Sequence, residues 1–188
     1  GNIMGTLFVD KLDPQSGTSL EIGSSGDTIT IPSGATITNS GTATGFGEAN
    51  TPSFRANPAS GTTVANDTAT KIAFTTEVYD TDSAYDASNS KFVVPAGGAG
   101  RYFFVAALEY NITSATTSAR AQIRKNGSIA LAKNGYNSYY DNNLVCGVLN
   151  LAAADYIEVY GYQNSGGSTV TQTGTASTYF AGFKVDSW

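Results

Sequence analysis

The chain has 188 residues, 13 % of them charged, with ten Lys and Arg against fifteen Asp and Glu for a formal charge of −5, one cysteine and no histidine. That length suits one domain of about 100–150 residues plus an appendage, with a core large enough to hold without disulfides. The acidic balance is wrong for gripping phosphate backbones, the lack of histidine removes the commonest general base and transition-metal ligand, and no run approaches the ~18 apolar residues of a membrane span.

Residues 1–47 read as an appendage. No basic segment followed by an apolar one opens the chain, so it is expected to be soluble and without a secretion signal, with Met4 as the native start. From Thr18 to Gly47 the sequence is rich in Gly, Ser and Thr, almost uncharged, and alternates as TSLEIGSSGDTITIPSGATITNSGTATGF. Its main apolar residues are Ile29, Ile31 and Ile37. Ordering a residue costs ~1–2 kcal/mol of backbone entropy, and an isoleucine returns about 1.5–3 kcal/mol only when fully covered, so one chain cannot bury so thin a stripe. Three chains winding together can. Gly5–Gly47 is therefore expected to be an intertwined β stalk or attachment segment, with a flexible linker as the alternative reading. Residues 48–188 form the head, Glu48–Asn57 leading into it.

The head is all-β by pattern: Thr, Val, Ile, Tyr and Phe recur in short alternating runs separated by Gly, Asn, Asp and Ser. Lys71–Tyr79 is the first clear run, and from Thr70 the alternation puts Ile72, Phe74 and Val78 on one buried side. Asp80, Asp82 and Asp86 follow, three carboxylates crowded as hard cations such as calcium require, though without the glycine and terminal glutamate of an EF-hand loop. Solvated acidic turn residues are the alternative. Lys91–Val94 leads through a Pro/Gly corner into Arg101–Tyr110, which is apolar on both sides: Tyr102, Phe104, Ala106, Leu108 and Tyr110 point one way, Phe103, Val105 and Ala107 the other. An antiparallel strand normally buries one face, so the second calls for a layer from outside the chain, most simply other copies of it.

Ala119–Lys125 ends in the turn signal Lys125-Asn126-Gly127. Asn126–Asn143 then reads as a long connection carrying Tyr136, Tyr139 and Tyr140 among asparagines, a mixture suited to recognising host glycans or proteins, or else to packing on neighbouring subunits. Leu144–Leu151 is apolar on both faces and holds Cys146, expected to pack as a small hydrophobe. Asp155–Gln163 and Thr178–Val185 complete the runs, and seven or more strands at this spacing suggest a sandwich or jelly roll. An enzyme is not expected. Glycoside hydrolysis can run on two carboxylates, but Glu109 and Glu158 do not announce themselves as a pair.

Phe54-Arg55-Ala56, Ile72-Ala73-Phe74, Tyr85-Asp86, Phe92-Val93-Val94-Pro95, Gly100-Arg101-Tyr102-Phe103-Phe104, Ile123-Arg124-Lys125-Asn126-Gly127, Leu149-Asn150-Leu151, Asp155-Tyr156-Ile157 and Thr178-Tyr179-Phe180-Ala181-Gly182-Phe183 run in an order that resembles the complement component 1q and tumour necrosis factor superfamily. The resemblance covers about Phe54 to Val185. It departs in the Gly97-Gly98-Ala99 insert and in lacking a preceding collagen repeat. It implies a ten-stranded antiparallel jelly roll that assembles as a tight trimer, with Tyr102, Phe104, Tyr179 and Phe183 filling either the sandwich core or the trimer interface. Here the Tyr102/Phe104 face is expected at the threefold axis. The N-terminal pattern is similar to segments of structural proteins of marine bacteriophages. Together the two resemblances imply a homotrimeric virion appendage on the particle surface, docked to other virion proteins through residues 1–47. It would need no cofactor beyond possible calcium binding. Its expected work is attachment to a host surface or glycan; an architectural component and a glycan depolymerase are the alternatives.

Overall fold

The computed structural model describes residues 10–41, 50–112, 118–135 and 142–187. The chain divides into two compact units, Gly1–Thr44 and Gly45–Trp188. In the first, the described residues carry turns but no strand, and Leu20, Ile22, Ile29, Ile31 and Ile37 are all exposed.

The second unit is built from antiparallel strands: β1 (Ser53–Asn57), β2 (Thr63–Val64), β3 (Thr70–Lys71), β4 (Thr76–Asp80), β5 (Tyr85–Asp86), β6 (Lys91–Val93), β7 (Gly100–Glu109), β8 (Ala119–Lys125), β9 (Ser128–Gly135), β10 (Asn142–Leu151), β11 (Tyr156–Gln163), β12 (Thr169–Val170) and β13 (Tyr179–Ser187). One sheet runs β10-β7-β13-β1-β4, the other β5-β6-β11-β8-β9 with β3 on β11, and β12 pairs β2. This is the expected all-β jelly roll. Its core lies between the two large sheets and is dominated by rings. Phe54 stacks on Tyr85 at 4.8 Å and on Phe92 at 5.1 Å, and meets the edge of Phe180 at 4.8 Å. Buried tyrosine hydroxyls need acceptors, and each finds a carbonyl: Tyr85 donates to Phe74, Tyr102 to Gly98 and Tyr110 to Arg120.

Several expectations are corrected. Thr70–Tyr79 is not one strand. Thr70 and Lys71 pair with Gly161 and Tyr160 in the second sheet, and the chain then crosses over so that Thr76–Asp80 pair with β1 in the first. The crossing, with a register shift at Arg55/Ala56, breaks the alternation: Ile72 and Phe74 are fully buried, but Val78 is 53 % exposed. Asn126 and Gly127 close a two-residue hairpin with φ of 50° and 80°, the left-handed pair that matches strand twist. Ser128–Gly135 therefore returns as β9 along β8, where a loop was expected. Cys146 is exposed rather than packed, because β10 turns Leu144, Cys146 and Val148 to the side away from the core.

Tyr102 and Phe104 lie inside the chain's own core, both 0 % exposed. Neither is available at a threefold axis. The reason is pairing across the sandwich: Phe92 of the second sheet sits 5.4 Å from Tyr102 and 5.5 Å from Phe104, so the even-numbered side of β7 is already covered. On the opposite side of β7 Ala107 is buried as well, while Phe103 and Val105 are only half-covered.

Candidate functional site

Strand register builds an apolar wall on the outer side of the first sheet. Residues directly opposite in an antiparallel pair share a face, so the pairings line up in rows across three strands. Val148, Phe103 and Phe183 form one row, Cys146, Val105 and Ala181 the next, and Leu144, Ala107 and Tyr179 a third. The rings of Phe103 and Phe183 lie 5.5 Å apart. Val148, Phe183, Leu144 and Val185 keep 54, 39, 39 and 43 % of their surface exposed, which is unusual for side chains that otherwise reward burial. One side of the wall is polar. Arg55 lies opposite both Ala181 and Tyr79, its guanidinium 4.6 Å over the Tyr179 ring and donating to the Thr175 carbonyl at 2.6 Å. Of the four aromatics expected at the interface, the structure thus puts Tyr179 and Phe183 on this wall and Tyr102 and Phe104 behind it.

The outer side of the second sheet is of a different kind. Tyr160 and Tyr162 of β11 face Gln122 and Arg120 of β8. The Arg124 guanidinium lies 3.9 Å over the Tyr160 ring, that of Arg120 4.7 Å over Tyr162, and the Lys91 ammonium 5.6 Å from the Tyr156 ring centre. Further bonds fix the ladder: Arg124 donates to the Gln122 amide oxygen at 2.9 and 3.1 Å, and the Tyr162 hydroxyl to Asp67 at 2.9 Å. That bond raises the Tyr162 pKa, because ionising the phenol next to a carboxylate is unfavourable. Sequence reasoning missed this face. Its signal was present in the alternations Arg120-x-Gln122-x-Arg124 and Tyr156-x-Glu158-x-Tyr160-x-Tyr162, which read as polar and aromatic on one side of each strand.

The acidic loop does not gather its carboxylates. Asp80 accepts from the Tyr85 backbone N–H at 2.8 Å, whereas Asp86 accepts from the Ser88 hydroxyl at 2.6 Å and the Asn89 amide at 2.8 Å. Both close turns of their own loop. Among the described residues no group of three or more Asp, Glu, Cys or His side chains is placed to hold a metal ion. We expect the thermal midpoint to be the same with chelator and with added calcium; a rise with calcium would restore a site there.

Two surface carboxylates are tuned by their donors. The Lys125 ammonium at 2.8 Å, then the Asn126 amide, lower Asp155 from 3.8 to about 2. Hydrogen bonds from Ser88 and then Asn89 lower Asp86 from 3.8 to about 2. A depressed folded-state pKa contributes stability that is present above the unfolded value and lost as pH falls through the folded one. Stability is therefore expected to hold from neutrality to about pH 4 and to fall between about 4 and 2, with no histidine to add a step near pH 6. Melting across that range for the wild type and Asp155→Asn checks this: the variant should show the shallower acid slope.

Glu109 and Glu158 stand on different sheets, and Glu158 is held by the Lys71 ammonium at 2.6 Å. Tyr136, Tyr139 and Tyr140 lie outside the described residues.

Residues 53–185 match the family model described as C1q domain. No curated protein matches the chain. Among solved structures, a crystal structure of mouse APRIL at pH 5.0 is 15 % identical over 71 % of this chain and 98 % of that one, with a TM-score of 0.57. The globular domain of zebrafish complement 1qA is 14 % identical over 73 % of this chain and 99 % of that one, at 0.52. At such identities the likeness is one of fold.

Proposed function

We propose that this chain, which belongs to the C1q domain family, is a homotrimeric bacteriophage virion appendage that displays its β head for attachment to a host surface or glycan. Domains of this kind are non-enzymatic, ligand-binding or structural, and often trimeric. The observation that carries the assembly is the wall of Val148, Phe103, Phe183, Cys146, Val105 and Ala181, a three-strand apolar surface on a head whose own core is already closed. Burial of apolar area at ~25 cal/mol per Å² gives a second and third copy reason to cover it. The virion placement is supported by the likeness of the pattern between Phe8 and Phe46 to marine phage structural segments. The Arg–Tyr ladder supports attachment: it lies on the other outer face of the sandwich, away from the wall, and combines rigid rings with hydrogen-bond donors as recognition surfaces do.

The test has two arms. Purified full-length protein should sediment as a trimer at micromolar concentration, and the same preparation should compete with particle adsorption to host cells. A monomer overturns the assembly. A trimer that labels the particle yet leaves adsorption untouched would make the protein architectural.

A further inference from the structure

We infer that residues 19–41 form a three-layer repeat whose apolar stripe is covered by the same segment of two further copies of this chain. The inference rests on the trimer proposed above and extends it to the residues ahead of the head. Three units begin at Ser19, Thr28 and Thr36, each opening polar-apolar-polar: Ser19-Leu20-Glu21-Ile22, Thr28-Ile29-Thr30-Ile31 and Thr36-Ile37-Thr38-Asn39. Each unit then reaches a glycine: Gly26, Gly34 or Gly41.

Local turns mark the same units, the first two with a glycine of positive φ. Gly26 and Gly34 have φ of 94° and 85°, in the left-handed region. The first turn is closed by Asp27 N–H donating to the Ser24 carbonyl at 2.9 Å and Ser24 N–H to the Asp27 carboxylate at 2.7 Å. In the second, Ala35 N–H donates to the Pro32 carbonyl at 3.1 Å, and in the third Gly41 N–H donates to the Asn39 side chain at 3.0 Å. Asn39 stands where Ile22 and Ile31 stand in the earlier units, and it ends the stripe by bonding its own turn.

What lies between the turns has no ladder. No strand is formed among the described residues of this segment, and Leu20, Ile22, Ile29, Ile31 and Ile37 are 44, 60, 61, 48 and 56 % exposed. A repeat unit that cannot bury its own apolar pair is stabilised by stacking on like units. Copies aligned in register would put Leu20 on Leu20, Ile29 on Ile29 and Ile31 on Ile31, and leave Glu21, Thr28, Thr30, Thr36 and Thr38 in water. Charge opposes this only weakly, since Glu21 and Asp27 are the only ionised side chains between Ser19 and Gly41 and both stay in water, where like-charge repulsion is screened. The tether favours it. Residues 42–52, at ~3.3–3.6 Å each, hold the segment within about 40 Å of Ser53, so trimerised heads bring three copies together at an effective concentration on the order of millimolar.

Amide hydrogen exchange on the full-length protein, with sedimentation in parallel, decides the matter. In the wild-type trimer the amides of residues 28–31 should exchange at least ~10-fold more slowly than in an unprotected chain. Ile31→Asp should abolish that protection and Thr30→Asp should keep it, both with the head still trimeric. A trimer whose residues 28–31 exchange freely, or in which the two variants behave alike, overturns the inference and leaves the trimer standing. A monomeric wild type overturns the trimer and takes this inference with it.

Discussion

Phe103→Asp is expected to turn the protein into a soluble, folded monomer, while Phe104→Asp at the next position is expected to unfold it. The two side chains leave β7 in opposite directions. Phe103 is half-buried in one chain and, among the rings of the described residues, meets only Phe183, at 5.5 Å. Its replacement leaves the intrachain core untouched and sets a carboxylate in the middle of the apolar wall. An unpaired charge buried there costs several kcal/mol in each copy, and each ~1.4 kcal/mol weakens association tenfold, so a trimer stable at micromolar concentration should dissociate. Phe104 is 0 % exposed and has ring neighbours on both sheets, Phe92 at 5.5 Å and Phe180 at 6.1 Å. Losing that ring costs about 3–5 kcal/mol before any charge is counted, against a total stability of about 5–15 kcal/mol. Sedimentation velocity with far-ultraviolet circular dichroism separates the outcomes. A Phe103→Asp protein that still sediments as a trimer would remove the wall from the interface.

The contrast shows how far a sequence can be read here. That Arg101–Tyr110 has two apolar faces is visible in its alternation. Which face belongs to the core is not, because that depends on where Phe92 lands, and Phe92 reaches β7 only through sheet packing. The Lys71–Tyr79 run misled for a similar reason. Alternation assumes one strand in one sheet, and this run changes sheets after Lys71. The segment Ser128–Gly135, with two alanines, a lysine, an asparagine and a glycine, lacks the β-branched density of a strand; it is one because the Asn126-Gly127 turn aims it back along β8. The turn itself was legible.

Sites were less legible than strands. Counting carboxylates in residues 80–86 shows crowding but not direction, and the backbone of the loop claims Asp80 and Asp86 for its own N–H groups. The Arg–Tyr ladder has the opposite history. Its members are separated in sequence by more than thirty positions, as Arg124 and Tyr160 are, yet each strand alone displays the needed period of two. A reading tuned to apolar alternation passes over polar alternation on the same strands, and that is where the Arg–Tyr ladder is written.

The second large effect is expected inside the head, from Phe54→Ala. Phe54 sits on β1 at the meeting point of both sheets, with Tyr85 and Phe92 stacked on it from the second sheet and Phe180 edge-on from the first. Its truncation opens a cavity that none of these rings can fill without leaving its own partners, and Tyr85 is further held by its hydroxyl bond to the Phe74 carbonyl at 2.8 Å. The loss is therefore expected near the full Phe→Ala range of about 3–5 kcal/mol, and Phe54→Leu, which keeps most of the volume, should cost clearly less. For a chain of this size each kcal/mol moves the thermal midpoint by about 2–4 °C. Because association adds stability by mass action, both variants have to be melted at one protein concentration and again in the Phe103→Asp background. If the Phe54→Ala loss is unchanged in that monomeric background, the ring cluster belongs to the head alone; a loss that vanishes there would mean Phe54 acts through the assembly, contrary to its place in the core.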